Sequence, residues 1–125
     1  MLLKSIAFFW GLVILFLSLY PFKVKEDSIQ LWQHTDKIVH FLMYVLLTYL
    51  VLLNVKPKKC LVKESIFVVL SCILYGIVIE VIQEVMKLGR SFDFFDVLAN
   101  SAGVFCALTC YFILKKHKFF VFNQN

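Results

Sequence analysis

The chain has 125 residues, 62% of them hydrophobic and 17% aromatic, with a net charge of +5 and a mean hydropathy of +0.87. A soluble domain of this size buries only about 60% of its surface, and soluble proteins are only about half apolar, so a water-soluble fold is excluded. The solvent this composition fits is a membrane, and the positive charge then reads as a topology signal with no nucleic-acid partner.

Four apolar segments predict an all-α membrane protein: one domain over 1–125, a bundle of four transmembrane helices at about 5–20, 36–55, 65–86 and 94–114. Each is close to the 17 to 25 residues needed to cross about 30 Å of hydrocarbon. None alternates polar and apolar residues as a spanning strand does. The first has Lys4 ahead of an apolar run, like a signal peptide, but "FLSLYPF" offers large residues where a cleavage site needs small ones, so it is read as helix one.

The second segment opens "TDKIVHFLMY", with Asp36, His40 and Tyr44 spaced i, i+4, i+8 on one helix face. Asp36 also suits the positive end of the helix dipole. The third closes "YGIVIEVIQEVMK", where Glu80, Gln83, Glu84 and Lys87 form one stripe. "KLGRSFD" then supplies Gly89 for a tight turn, and the fourth opens "SFDFFDVLANSAG", with Asp93, Asp96, Asn100 and Gly103 at 3-4-3 spacing. Of the cysteines, Cys60 falls in a loop and Cys72, Cys106 and Cys110 fall within helices, so no disulfide is expected. Cys106 and Cys110 share a face but have no neighbouring metal ligands, and read as small packing residues.

Lys4, Lys56, Lys58, Lys59, Lys63, Lys115, Lys116 and Lys118 fall on one side of such a bundle, opposed only by Glu64. The other side carries five positive residues and seven acids. The positive-inside rule then puts both termini and the middle loop in the cytoplasm. It also brings the start of helix two, the end of helix three and the start of helix four to one outer surface of the membrane.

Three polar stripes thus converge at shallow depth, about 6 to 9 Å into their helices. Charged groups inside a bilayer cost about 2.5 to 3.5 kcal/mol each at its centre and normally face inward, so a polar pocket at the outer mouth is expected. Lys37, Glu84 and Lys87 read more simply as solvated or snorkelling groups at the interface. Arg90 serves equally as a clamp on Asp93, Asp96 or Glu80 and as a ligand-binding group. Asn100, beside Ser101, Ala102 and Gly103, suits a close helix contact. Glu80 and His40 are ionisable and deeper, which makes them functional candidates by default.

The patterns "DKIVHF", "IEVIQ" and "GRSFDFFDVLANSAG" together resemble the VanZ-like family of small bacterial membrane proteins. That family shows Asp-Lys-x-x-His-Phe, Glu-x-x-Gln, then Arg with Asp-x-x-x-Asn-x-x-Gly, matched here by Asp36, Lys37, His40 and Phe41, by Glu80 and Gln83, and by Arg90, Asp93, Asp96, Asn100 and Gly103. The likeness spans about Ser18 to Gly103. It implies a role in the cell envelope; the family's namesake raises resistance to the glycopeptide teicoplanin, though many relatives occur without resistance clusters.

Three functions follow as expectations. The leading one is a pocket formed by Asp36, Lys37, His40, Glu80, Gln83, Arg90, Asp93, Asp96 and Asn100 that binds membrane lipids by the headgroup, a cell-wall precursor or a lipoglycopeptide such as teicoplanin. Arg90 would supply a planar fork for phosphate or carboxylate. The alternative is a membrane enzyme acting on an envelope lipid, with His40, Glu80 and Asp96 as catalytic candidates beside Asp93. Ser91 is a nucleophile by proximity alone, and neither Gly-x-Ser-x-Gly nor His-Glu-x-x-His occurs. No metal or other cofactor is expected, because zinc usually takes more His or Cys ligands. Proton transport is disfavoured, since the inner half offers Thr48, Asn54, Ser71 and Thr109 but no carboxylate.

Overall fold

Long runs of Leu, Ile, Val and Phe leave a chain in lipid one way to pair its backbone, the helix. The computed structural model accordingly has four helices, α1 (Leu2–Leu19), α2 (Ile29–Asn54), α3 (Leu61–Met86) and α4 (Phe94–Phe122). It describes residues 2–20, 29–55, 61–86 and 92–122, with side chains at 29–34 and 117–122 left outside that description. Arg90, Lys87, Gly89, Ser91 and Cys60 therefore fall outside the described residues, as do the lysines at 56, 58 and 59.

All four helices are long and apolar enough to span a membrane, over Leu2–Leu19, Thr35–Asn54, Leu61–Met86 and Phe94–Lys116. All four run further than the apolar segments at one end: α1 begins at Leu2, α2 at Ile29 and α3 at Leu61, and α4 continues to Phe122. Hydropathy marks what hydrocarbon covers, whereas helical hydrogen bonding continues into the polar flanks. A 26-residue helix is about 39 Å long, against about 30 Å of hydrocarbon.

The most extensive packing is between α2 and α4; α2 also packs on α1 and α3, and α3 on α4 and α1. Among the described residues α1 and α4 do not form a packed pair, so α2 and α3 lie between them. Each helix buries one stripe at three- and four-residue spacing. On α1 it is Ala7, Ile14 and Ser18; on α2 it is His40, Tyr44, Leu47, Thr48 and Leu52. On α3 it runs from Ser65 through Cys72 and Gly76 to Glu80 and Gln83. On α4 it is Asp96, Asn100, Gly103, Val104, Ala107 and Tyr111.

Small residues bring the central helices together. A Cβ on Gly103 would overlap the Phe41 carbonyl of α2, so the α2–α4 contact exists in this form only because that Cβ is missing. Polar ties fix α1: Trp10 Nε1 donates to the Met43 carbonyl (3.1 Å), and the Tyr75 hydroxyl donates to the Gly11 carbonyl (2.7 Å). The outer faces are apolar, with Phe8 and Phe67 each over 70% exposed, which suits lipid contact. Hydroxyls on those faces turn back onto their own helix, as Ser71 does to the Phe67 carbonyl and Thr109 to that of Phe105.

Candidate functional site

The start of α4 organises the polar end of the bundle. Asp93 immediately precedes the helix; its Oδ1 accepts the Phe95 N–H (2.8 Å) and its carbonyl accepts that of Asp96 (3.0 Å), which makes it an N-cap. The acids closing α3 hold the same approach. Glu84 Oε2 accepts the Phe92 N–H at 2.8 Å, and Glu80 Oε2 lies 3.5 Å from the Asp93 nitrogen. Glu84 is exposed, and this bond links α3 to the chain entering α4. Its exposure agrees with the reading of Glu84 as a solvated group at the interface, to which this bond is an addition.

Lys37 departs from the sequence reading. It does not snorkel alone: its Nζ is 2.7 Å from Asp93 Oδ2 and 3.0 Å from Asp96 Oδ1. The two acids sit three residues apart, Asp93 at the N-cap and Asp96 on the first turn of α4, and Lys37 reaches both across the α2–α4 contact. Its hydrogen bond holds the Asp93 carboxyl below the usual carboxylate range. The Lys37 ammonium also stands 5.8 Å from the centre of the Phe95 ring.

Beneath this rim lies His40, 4% exposed. Its Nδ1 is 3.1 Å from Asn100 Oδ1, an oxygen that can only accept, so Nδ1 is the donor in this contact. Nε2 faces two carboxylates, Asp36 Oδ1 at 3.8 Å and Asp96 Oδ2 at 4.0 Å. Asp36 lies one turn before His40 on α2, and Asp96 one turn before Asn100 on α4. The 3.6-residue period therefore stacks two polar groups on each helix, and the two pairs face each other.

Of the residues singled out from sequence, the structure brings Asp36, Lys37, His40, Asp93, Asp96 and Asn100 together, with Glu80 fully buried alongside. Gln83 is used elsewhere: it is 3% exposed and its Nε2 donates to the Ser18 carbonyl (2.7 Å), one of the last carbonyls of α1, which have no partner within their own helix. Sequence reasoning missed Gly76 of α3. A Cβ there would lie 3.2 Å from both the Tyr44 hydroxyl and Asn100 Nδ2, so the glycine makes room for the groups beneath His40. The only sequence signal for this was a glycine four residues before Glu80 in an otherwise bulky apolar run.

Among known proteins, the family model described as VanZ/LLP1 matches residues 3–115. No curated protein and no solved structure gives a significant match.

Proposed function

The chain belongs to the VanZ/LLP1 family, and from that premise we propose that it is a membrane-embedded enzyme acting on an envelope lipid. The observation that carries this reading is His40 Nε2, buried and facing Asp36 and Asp96 from 3.8 and 4.0 Å. A buried imidazole turned by an amide toward two carboxylates is an arrangement for activating a reacting oxygen. Lys37 and Asp93 form the more exposed rim, their side chains 30% and 39% accessible. A headgroup phosphate or carboxylate that displaced Asp93 would meet the same ammonium. Glu80 fixes the floor through the Asp93 backbone.

Binding without turnover, of a cell-wall precursor or a lipoglycopeptide, remains a second reading of the same mouth. It calls on Arg90 and on Lys37, the ammonium of the same rim. The catalytic reading is better supported because Asp36, His40 and Asp96 gather their side-chain N and O atoms at one point beneath that rim. On the lysine distribution, the proposed orientation has both termini in the cytoplasm and the site at the outer surface of the cytoplasmic membrane.

The test is turnover in proteoliposomes made from a bacterial polar-lipid extract, read by mass spectrometry of the lipids. Wild type should convert at least one lipid class, and His40→Ala should abolish the conversion while keeping the wild-type elution profile. An unchanged lipid profile with wild type would remove the enzyme reading.

A further inference from the structure

His40 Nε2 stands off from both of its acids. A charged imidazolium hydrogen bond closes to about 2.7–2.9 Å on one carboxylate. Here Nε2 is instead almost equally far from Asp36 Oδ1 and Asp96 Oδ2, at 3.8 and 4.0 Å, too long for a hydrogen bond to either. Near-equal distances of this length are what ligand atoms show around a common centre. One ligand atom from each of Asp36, His40 and Asp96 lies within 4.8 Å of the other two. Ion-to-ligand distances of about 2.0–2.6 Å put any two ligands of one ion no more than about 5 Å apart, so the three atoms fit around one cation with small adjustments.

The other ring nitrogen gives independent support. Metal-binding histidines almost always donate their second N–H to a carbonyl or carboxylate, which fixes the tautomer and aims the lone pair. Asn100 Oδ1 takes that place at Nδ1, 3.1 Å away. Asp96 divides its two oxygens in a way that also suits an ion, Oδ1 toward Lys37 and Oδ2 toward His40. We infer that Asp36, His40 and Asp96 bind one divalent cation, with Asn100 as the group that orients His40. One nitrogen and two carboxylates suit Mn²⁺ or Zn²⁺ better than softer ions, and three protein ligands leave positions open for water and a headgroup oxygen. His40 would then act as a ligand, with the ion as the electrophile of the site. The separation of the ligands along the chain hides this pattern, because two come from one turn of α2 and the third from α4, 56 residues beyond His40.

The inference deepens the catalytic reading above, but its test reads metal and not turnover, so the two fail separately. Detergent-purified full chain, stripped with chelator, is titrated calorimetrically with MnCl₂ and with ZnCl₂. One equivalent should bind saturably. His40→Ala and Asp96→Asn should each weaken binding by about 100-fold or more, Asn100→Leu by about 10- to 100-fold, and Glu64→Gln at the opposite end of α3 not at all. A measurement on wild type covers the case in which a variant misfolds: the Mn²⁺ complex should show pulsed-EPR coupling to an imidazole nitrogen. Absence of saturable binding to wild type, or Mn²⁺ binding without nitrogen coupling, would overturn the inference. Metal binding without lipid turnover would leave it standing and remove the enzyme reading instead.

Discussion

Lys37 shows how far one side chain's role depends on a distant segment. From sequence it sits at a helix end near the interface, where a lysine usually reaches for water. In the fold it is held at 2.7 and 3.0 Å by two acids at the start of α4, more than fifty residues later. Asp96 is 4% exposed, so removing the ammonium leaves a buried carboxylate short of a partner. Lys37→Met should therefore lower stability by about 1–3 kcal/mol, the worth of hydrogen bonds to charged groups. Lys37→Met combined with Asp96→Asn should recover part of that loss, and thermal unfolding in detergent measures both. Additive losses in the double variant would mean the pair is not coupled. Gln83 shows the opposite shift: it shares the Glu80 stripe, yet its amide ends on the Ser18 carbonyl of α1. Periodicity identified the buried face of α3 but not which neighbour each residue on it meets, because four helices can surround that face in several orders.

At the scale of helices, three glycines make the same substitution into three experiments. Gly103 lies where a Cβ would run into the Phe41 carbonyl, and backbone cannot swing away. Gly103→Ala should push α4 off α2 and cost about 1–3 kcal/mol, as overpacking does. At Gly76 the obstacles are the side chains of Tyr44 and Asn100 at 3.2 Å, which can give by a few tenths of an ångström. Gly76→Ala should spare stability more than Gly103→Ala and act instead on the site, loosening the His40–Asn100 bond and lowering turnover. Gly11 meets Leu47 and Tyr75 only at 4.0 Å, so Gly11→Ala should be neutral or stabilising by up to about 1 kcal/mol from helix propensity. Thermal unfolding of the three variants checks the ranking, and equal losses at Gly11 and Gly103 would refute the close α2–α4 approach. The small-residue run Asn100–Gly103 already pointed to a helix contact from sequence, and the apolar lengths to four helices. What hydropathy could not reveal was where the helices stop, because hydrogen bonding along α2 and α4 continues beyond the hydrocarbon.

For the whole molecule, the side of the membrane that the site faces decides which lipids reach it. The fold gathers the polar groups at one end, with the start of α2, the end of α3 and the start of α4 together, and leaves Asn54, Glu64 and Lys115 at the other. A bundle with its charge concentrated in this way has no mirror-equivalent insertion. Lysine counts break the tie, with eight on the side of Lys4, Lys63 and Lys116 against five basic residues on the side of Lys37. Basic residues in short loops resist translocation, whereas acids contribute little, so the eight should remain inside and the site should open outward. Single cysteines placed at Lys116 and at Glu84, in a chain whose four native cysteines are replaced, test this in intact cells. A membrane-impermeant maleimide should label Glu84→Cys before lysis and Lys116→Cys only after it. The reverse pattern would turn the Asp36–His40–Asp96 cluster toward the cytoplasm, where its lipid substrate would have to come from the inner leaflet and cell-wall intermediates beyond the membrane could not be its ligands.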